Sequence, residues 1–456
     1  VANSGTITTE GGQVLMQAAA VSDAVASIAH TGTIDTTGEQ GGAVTLRADN
    51  GDIKVSGVVK ANSKSTKNKG GNIIIGRDEV TGVLAKTTDV SNAKLESNKG
   101  FVETSGDYLV TDGVAIKAAQ WLLDPSDVTI SNGNNAGYTN VSGTYTPDAS
   151  AATSVVKVDT IQGAINNGTS VTITTTNTGA SGSGAGNITI ADKLTFTNTG
   201  ATDATLSLIA DNGITQNAGA AITTTTASTK LVNIKMEAKG NYQGSTVESN
   251  NSKGITLNST ITTNGTVTLT GTSKDTTGVQ TVTPYNYGVT NNSRSGVVFN
   301  HGSGITADNY QVTGTHTVAG NSFGVNGVYM NGAVTFKATG NTNSNITGNS
   351  NAQGNFGAGV MVWDGASVRL ENQGAGITTL KGSNTNTVGG NGIRIGASTN
   401  TASIDAIGRV TLGQQAAGTN APIFIRSTIN ASQNNVGQSG LRIVGQTEKN
   451  TSAVQI

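Results

Sequence analysis

The chain has 456 residues, of which 62 are Gly, 4% are aromatic and 12% charged, with no Cys and a formal net charge of −1. At about 150 residues per domain the length makes three domains or one elongated repeat domain. Near-neutrality supplies no field for nucleic acid or an anionic membrane; the missing cysteines exclude disulfides and thiolate chemistry, and four prolines with recurrent Val/Ile alternation argue against disorder.

In chain order, a first series comes at once. Gly11-Gly12-Gln13-Val14-Leu15, Gly41-Gly42-Ala43-Val44-Thr45-Leu46, Gly70-Gly71-Asn72-Ile73-Ile74-Ile75 and Lys99-Gly100-Phe101-Val102 recur at spacings of 30, 29 and 29 residues. That period marks a solenoid. Inside it, Val21, Ala24, Val25 and Ile28 fall at i, i+3, i+4 and i+7 and predict a short helix over 18–30. Residues 63–71 read as a loop, where Lys64, Lys67 and Lys69, with Lys60 just before, form a candidate contact for an anionic glycan or a solvated loop. Asp124-Pro125-Ser126-Asp127, following the apolar Trp121-Leu122-Leu123, predicts a turn. Asp159 as N-cap and Gly168 as stop predict a second helix between them, and 176–187 is a Gly/Ser-rich loop.

A second series closes the chain. Gly296-Val297-Val298-Phe299, Gly327-Val328-Tyr329-Met330, Gly359-Val360-Met361-Val362 and Gly392-Ile393-Arg394-Ile395 recur at 31, 32 and 33 residues, and Gly440-Leu441-Arg442-Ile443 follows after 48. The positions one and three after each Gly are apolar and share a face, because strand side chains alternate. The residue between them (Val298, Tyr329, Met361, Arg394, Arg442) points the other way, and its changing chemistry predicts a solvent face. A repeat of this length cannot bury its own apolar face, so like strands must stack about 4.8 Å apart. The fold expected is therefore all-β: a right-handed parallel β-helix (solenoid) of roughly 15 coils, with one or two short helices in loops and Gly supplying positive-φ corners. A β-propeller is the rival, but the hairpin turns it needs every 8–12 residues are missing. The organisation expected is a first β-helix segment over 1–130, a transition with a short helix over 131–180 and distal repeats over 181–456.

Phe101-Val102-Glu103-Thr104-Ser105-Gly106, then Trp121-Leu122-Leu123-Asp124-Pro125-Ser126-Asp127-Val128-Thr129-Ile130, then Asp159-Thr160-Ile161-Gln162-Gly163-Ala164-Ile165 with Gly168-Thr169-Ser170-Val171-Thr172-Ile173, resemble the high-molecular-weight adhesins. These are filamentous-haemagglutinin-like exoproteins of two-partner secretion. The likeness covers about residues 1–210; beyond it only composition and repeat style agree. It implies a Gram-negative product that is secreted or held at the cell surface, passed through an outer-membrane pore protein, and that mediates adhesion through a carbohydrate or host-surface receptor. The family's N-terminal secretion domain is not recognisable, and a chain that opens at Val1 and closes at Ile456 inside a repeat pattern reads as an excised piece lying just after that domain.

The expectation is thus a non-enzymatic adhesin stalk presenting a surface to host-cell or matrix glycans. The alternatives are a biofilm protein holding self-produced exopolysaccharide, and a polysaccharide-cleaving β-helix enzyme. An enzyme of that kind needs carboxylates gathered on one face, and here they are dispersed. No cofactor, metal, nucleic-acid partner or membrane insertion is expected, since no run of 18 apolar residues exists. His30, His301 and His316 form no ligand or triad spacing and read as solvated or turn residues. Gly389-Gly390-Asn391-Gly392-Ile393-Arg394 opens like a calcium-binding nonapeptide but has Arg394 where a carboxylate ligand is needed, and Gly182–Gly186 lacks the strand, helix and acid of a dinucleotide loop. The sharpest binding candidates are Tyr329, Trp363 and Arg394, with Met361, on the outward column: a ring to stack on sugar C–H faces and a guanidinium for hydroxyls or carboxylates. Ten Asn-x-Ser/Thr sequons, at Asn140, Asn167, Asn187, Asn250, Asn258, Asn264, Asn291, Asn345, Asn430 and Asn450, are candidate glycosylation positions. The resemblance adds weight to them, because some adhesins of this type carry glycans on asparagine.

Overall fold

The computed structural model describes residues 1–19, 25–133, 138–141, 144–147, 153–175, 185–241, 254–274, 295–317, 326–351, 357–385, 391–396, 402–413, 423–425, 428–434, 440–444 and 454–455. Two compact units divide the chain: Val1–Ile209 with Thr224–Val232, and Ala210–Thr223 with Asn233–Ile456. Each is a stack of three-strand coils whose like strands pair in parallel, so each is a parallel β-helix.

In the first unit, one face stacks Ala2–Asn3, Ser27–His30, Asp52–Val55, Thr87–Asp89 and Tyr108–Val110. A second stacks Thr6–Thr8, Thr33–Asp35, Val58–Lys60 and the start of Lys94–Ser105. The third stacks Gln13–Ala18, Ala43–Ala48, Asn72–Ile75, the end of Lys94–Ser105, Ala115–Asp124 and Ser170–Thr174. Strand Lys94–Ser105 serves two faces by turning a corner at Lys99, whose φ is 58°. The first sequence series is one interior column, Val14, Val44, Ile73 and Val102 in register, which continues through Trp121 and Val171. Trp121 is fully buried, and its indole Nε1–H donates to Thr104 Oγ1 at 3.1 Å, which removes the cost of an unpaired donor in the interior.

The glycines of that series act mainly by close approach. Gly42 and Gly71 lie one above the other, and a Cβ on Gly71 would come within 1.6 Å of the Gly42 carbonyl oxygen. Neither has a positive φ; the positive-φ corners expected of glycine are at other positions, Gly11 and Gly76 among them.

The predicted helix over 18–30 is not found where the chain is described. Gln13–Ala18 and Ser27–His30 are strands, and 20–24 lie outside the described residues. Ala26, Ile28 and His30 face inward in strict alternation while Val25 is 66% exposed. Of the four apolar residues that gave the helical spacing, Ile28 is in strand Ser27–His30 and Val25 lies just before it, and Val21 and Ala24 lie outside the described residues. His30 is accordingly buried instead of solvated: its Nδ1 lies 3.2 Å from Asn3 Nδ2 and its Nε2 3.3 Å from the Val58 carbonyl.

The second helix is present as Val158–Asn166, with Val158, Ile161, Ala164 and Ile165 packed inward and Gly168 at φ 82° just after it. Its N-cap is Lys157, which makes no side-chain cap; Asp159 sits in the first turn, where its charge complements the helix dipole. Gln162 and Asn166, one turn apart, accept hydrogen bonds from the backbone N–H of Thr195 and Thr197, both at 2.7 Å. The helix thereby supplies acceptors to strand Leu194–Phe196 and the residue just after it that a neighbouring strand would otherwise provide. Replacing both residues by Ala should leave two N–H groups unpaired and cost roughly 1–3 kcal/mol each, measurable by denaturant unfolding with faster amide exchange at Thr195 and Thr197. An antiparallel hairpin, Tyr138–Val141 with Thr144–Pro147, precedes the helix.

The second unit repeats the plan. Its first face stacks Ile214–Gln216, Ile255–Leu257, Val297–Phe299, Val328–Met330, Ala358–Val362, Asn391–Ile395 and Ile423–Ile425. Its second stacks Thr260–Thr262, Gly304–Ala307, Ala333–Ala338, Ser367–Asn372, Ser403–Ile407 and Thr428–Ser432. The third stacks Thr266–Ser273, Asn309–His316, Ser344–Ser350, Thr378–Asn384, Arg409–Gly413 and Gly440–Val444. The apolar columns of the second series hold through Ile393 and Ile395, all fully buried. The fifth expected member does not belong to them: Leu441 and Ile443 pair with Val410 and Leu412 on the third face, and Ile423 and Ile425 take the next rung. Pro422 stands before that strand where Gly stands in the others, which hid it.

A glycine column that the sequence reading passed over explains the one it found. Gly271, Gly314, Gly348 and Gly382 lie in register on the third face. Gly314 faces Gly327, whose carbonyl oxygen would be 2.1 Å from a Cβ there. Inside the coil, Phe299, Phe336 and Tyr310 arrive one from each face; Phe299 and Phe336 meet edge to face with centroids 4.7 Å apart, and Tyr310 and Phe336 lie 5.7 Å apart. His316 is likewise an interior residue, 2% exposed, and only His301 is in a turn, accepting the Ala333 N–H on Nδ1 at 3.2 Å.

Candidate binding faces

The register of the outward column is as expected. Val298 pairs with Tyr329, Tyr329 with Met361 and Met361 with Arg394 on successive coils, all pointing away from the coil interior. Its exposure is not. Val298, Tyr329 and Met361 are 1%, 4% and 0% exposed, and Arg394 is 7% exposed. With Ala358, the first three form an apolar cluster outside the coil, and the partly buried Trp363 packs on it, its ring centroid 6.0 Å from that of Tyr329 at an interplanar angle of 40°. The expected open platform is therefore corrected. Tyr329 and Arg394 offer almost no surface to a ligand, and the Trp363 ring is committed to packing, so its truncation removes stability as well as surface.

The second face carries charge. Glu371 receives Arg369 Nε and Nη2 at 2.9 and 2.8 Å, Gln373 Nε2 at 2.5 Å and Lys337 Nζ at 3.6 Å. Burial pushes its carboxyl up, but the hydrogen bonds from Arg369 and Gln373 and the charges of Lys337 and Arg369 outweigh burial and leave it below the ordinary glutamate value. A depressed folded-state pKa stabilises above the unfolded value, about 4.3, and that contribution disappears as pH falls through the folded value. Glu371→Gln should therefore lower stability at neutral pH and flatten the acid limb below about pH 4, read as the pH dependence of the thermal midpoint.

The remaining candidates resolve individually. Asp124 accepts from Thr174 Oγ1 at 2.9 Å, and Asp127 accepts the backbone N–H of Asn187 and Ala185, so the Asp-Pro-Ser-Asp segment ties adjacent chain together as a turn does. Burial raises the Asp127 carboxyl against those hydrogen bonds. In the lysine loop, Lys64 pairs with Glu10, while Asn98 bonds both Asn62 and Ser63 and fixes the loop on its neighbouring coil. Among the described residues, no group of three or more His, Asp or Glu could hold a metal ion. Gly389 and Gly390 of the nonapeptide-like segment and residues 182–184 of the dinucleotide-like one lie outside the described residues, while Asn391–Ile395 is a strand of the first face.

Of the sequons, Asn250, Asn291 and Asn450 also lie outside it, and for Asn140 only the backbone is described. The Nδ2 atoms of Asn167, Asn258, Asn345 and Asn430, the atoms a glycan would occupy, donate to Gly163 O, Gln216 O, Gln311 Oε1 and Asp405 Oδ1. Asn187 is half-buried, and Asn264 is exposed in a turn. No helix among the described residues is long and apolar enough to cross a membrane. No family model and no curated protein matches this chain.

Proposed function

We propose that this chain is part of a secreted or cell-surface adhesin of a Gram-negative bacterium, of the filamentous-haemagglutinin-like kind, exported through an outer-membrane pore partner and acting as a β-helical stalk for carbohydrate binding. One observation supports the reading above others. The segments that carry the resemblance are adjacent rungs of one wall: Val102 pairs with Trp121 and Trp121 with Val171, and Thr104 with Leu123 and Leu123 with Ile173, with the Val158–Asn166 helix packed beside them. A motif set scattered over 70 residues thus has a single architectural purpose.

The test is to present the chain to an array of host, matrix and bacterial polysaccharides while assaying the same mixtures for new reducing ends and unsaturated uronates. Binding without turnover is the expected result. Turnover abolished by one carboxylate substitution would replace the stalk with an enzyme, and binding confined to the producer's own exopolysaccharide would move the reading from host adhesion to biofilm.

A further inference from the structure

The three faces of the second unit's coils are dressed differently. The outward side of the first is covered, as the burial of Val298, Tyr329 and Met361 shows, and the second carries the Glu371 ion network. On the third, over three coils, the outward side chains are half-buried or exposed and uncharged. Thr266–Ser273, Asn309–His316 and Ser344–Ser350 are eight-, eight- and seven-residue strands in unbroken register, and every outward side chain on them is Thr, Asn or Gln. Charge returns only at the borders, with the Lys235–Glu237 pair before and Lys381 after.

The amides on this face are engaged: Asn345 Nδ2 donates to Gln311 Oε1 at 2.8 Å, Asn349 Oδ1 accepts from the Ser383 hydroxyl at 2.8 Å, and Asn309 Nδ2 donates to Thr266 Oγ1 at 3.2 Å. Six of the seven outward threonines are not. Thr268, Thr270, Thr272, Thr313, Thr315 and Thr347 are half-buried or exposed, and among the described residues none of their hydroxyls has a hydrogen-bond partner. Register puts Thr270, Thr313 and Thr347 in one column and Thr272 and Thr315 in the next. The result is a grid of hydroxyls and methyls about 4.8 Å apart along the stack and about 6.7 Å apart along each strand.

We propose that this threonine face is the docking platform for an extended, uncharged polysaccharide; the proposal rests on the carbohydrate-binding reading above and names its surface and substrate class. Each hydroxyl both donates and accepts, as sugar hydroxyls do, and each adjacent methyl suits a pyranose C–H face. β-Branching restricts χ1 and the sheet fixes the backbone, so little order is lost on binding. A charged polymer finds no counter-charge within the grid. A protein partner finds none of the aromatic or Arg anchors on which such interfaces depend. Single contacts here are weak, and affinity comes from many of them along one chain.

Co-sedimentation of the full chain with particulate cellulose and mannan tests this, comparing wild type with the triple variant Thr270→Val, Thr313→Val, Thr347→Val and with Thr335→Val, an exposed control on the second face. Thr→Val keeps shape and strand preference, and circular dichroism checks that the variants fold. The expected result is retention of wild type that is insensitive to salt, retention about tenfold weaker for the triple variant, and no change for Thr335→Val. If the triple variant binds as wild type does, this face is not the platform and the carbohydrate-binding reading stands without it. If wild type binds only anionic glycans, in a salt-dependent manner, the face is again excluded. If wild type binds no polysaccharide of either kind, both readings fall. If light scattering shows a dimer that the triple variant abolishes, the face's occupant is a second copy of the chain and the proposal is overturned.

Discussion

Val360→Asp is expected to melt a region of the second unit and leave the rest of the chain folded. Val360 is fully buried, stacked between Val328 of the preceding coil and Ile393 of the next, with Met330, Val362 and Ile395 forming the parallel column two residues along. Among the described residues no cation lies in this aliphatic interior column, so the new carboxylate must lose its hydration unpaired or take up a proton. Either route costs about 3–5 kcal/mol, the scale for a buried charge without a partner. Stability in a solenoid is a sum over coils and nearest-neighbour contacts, so the loss is regional. Hydrogen exchange should show protection lost across Val328–Met330, Ala358–Val362 and Asn391–Ile395 and kept at Ala43–Ala48. Equal exchange in variant and wild type at the first three strands would mean that the side chain does not face inward.

The inward side of these coils was legible because two periods are superimposed on it. Alternation fixes which residues share a face, and the spacing near 30 residues fixes which residues stack, so the columns through Val14 and through Val297 could be written down from the chain alone. The outward side was not legible in the same way. A column that runs Val298, Tyr329, Met361, Arg394 has no periodic signature of being covered; whether an outward side chain is buried depends on chain elsewhere, which the pattern does not report. Over the described end of the helix expected at 18–30 the chain is strand for a related reason: Ala26, Ile28 and His30 satisfy alternation, and apolar residues among so many alanines fit a helical template as well. The predicted helix ending at Gly168 was found because Ile161, Ala164 and Ile165 keep helical spacing, which alternation does not reproduce, and a positive-φ Gly stops the chain after them. The threonine grid was present in the sequence as composition, but its hydroxyls became a candidate site only when register put them in columns and showed the neighbouring amides already paired.

Phe336→Ala is expected to be the most destabilising truncation in the second unit. Its ring occupies the centre of the coil, in edge-to-face contact with Phe299 and tilted against Tyr310, and all three are fully buried. Each comes from a different face, so no single sheet can close the gap by sliding. Removing the ring sacrifices its transfer free energy and leaves a cavity bounded by three rigid walls, which places the loss at about 3–5 kcal/mol. Tyr310 then loses its ring contact with Phe336, and its hydroxyl, 3.5 Å from Thr378 Oγ1, has a contact too long to compensate. Phe336→Leu keeps most of the volume and should cost about half as much or less. Thermal unfolding with strand-resolved hydrogen exchange separates the cases. Loss centred on Val297–Phe299, Asn309–His316 and Ala333–Ala338 together identifies a shared interior, whereas loss confined to Ala333–Ala338 would show that the three faces do not depend on the ring between them.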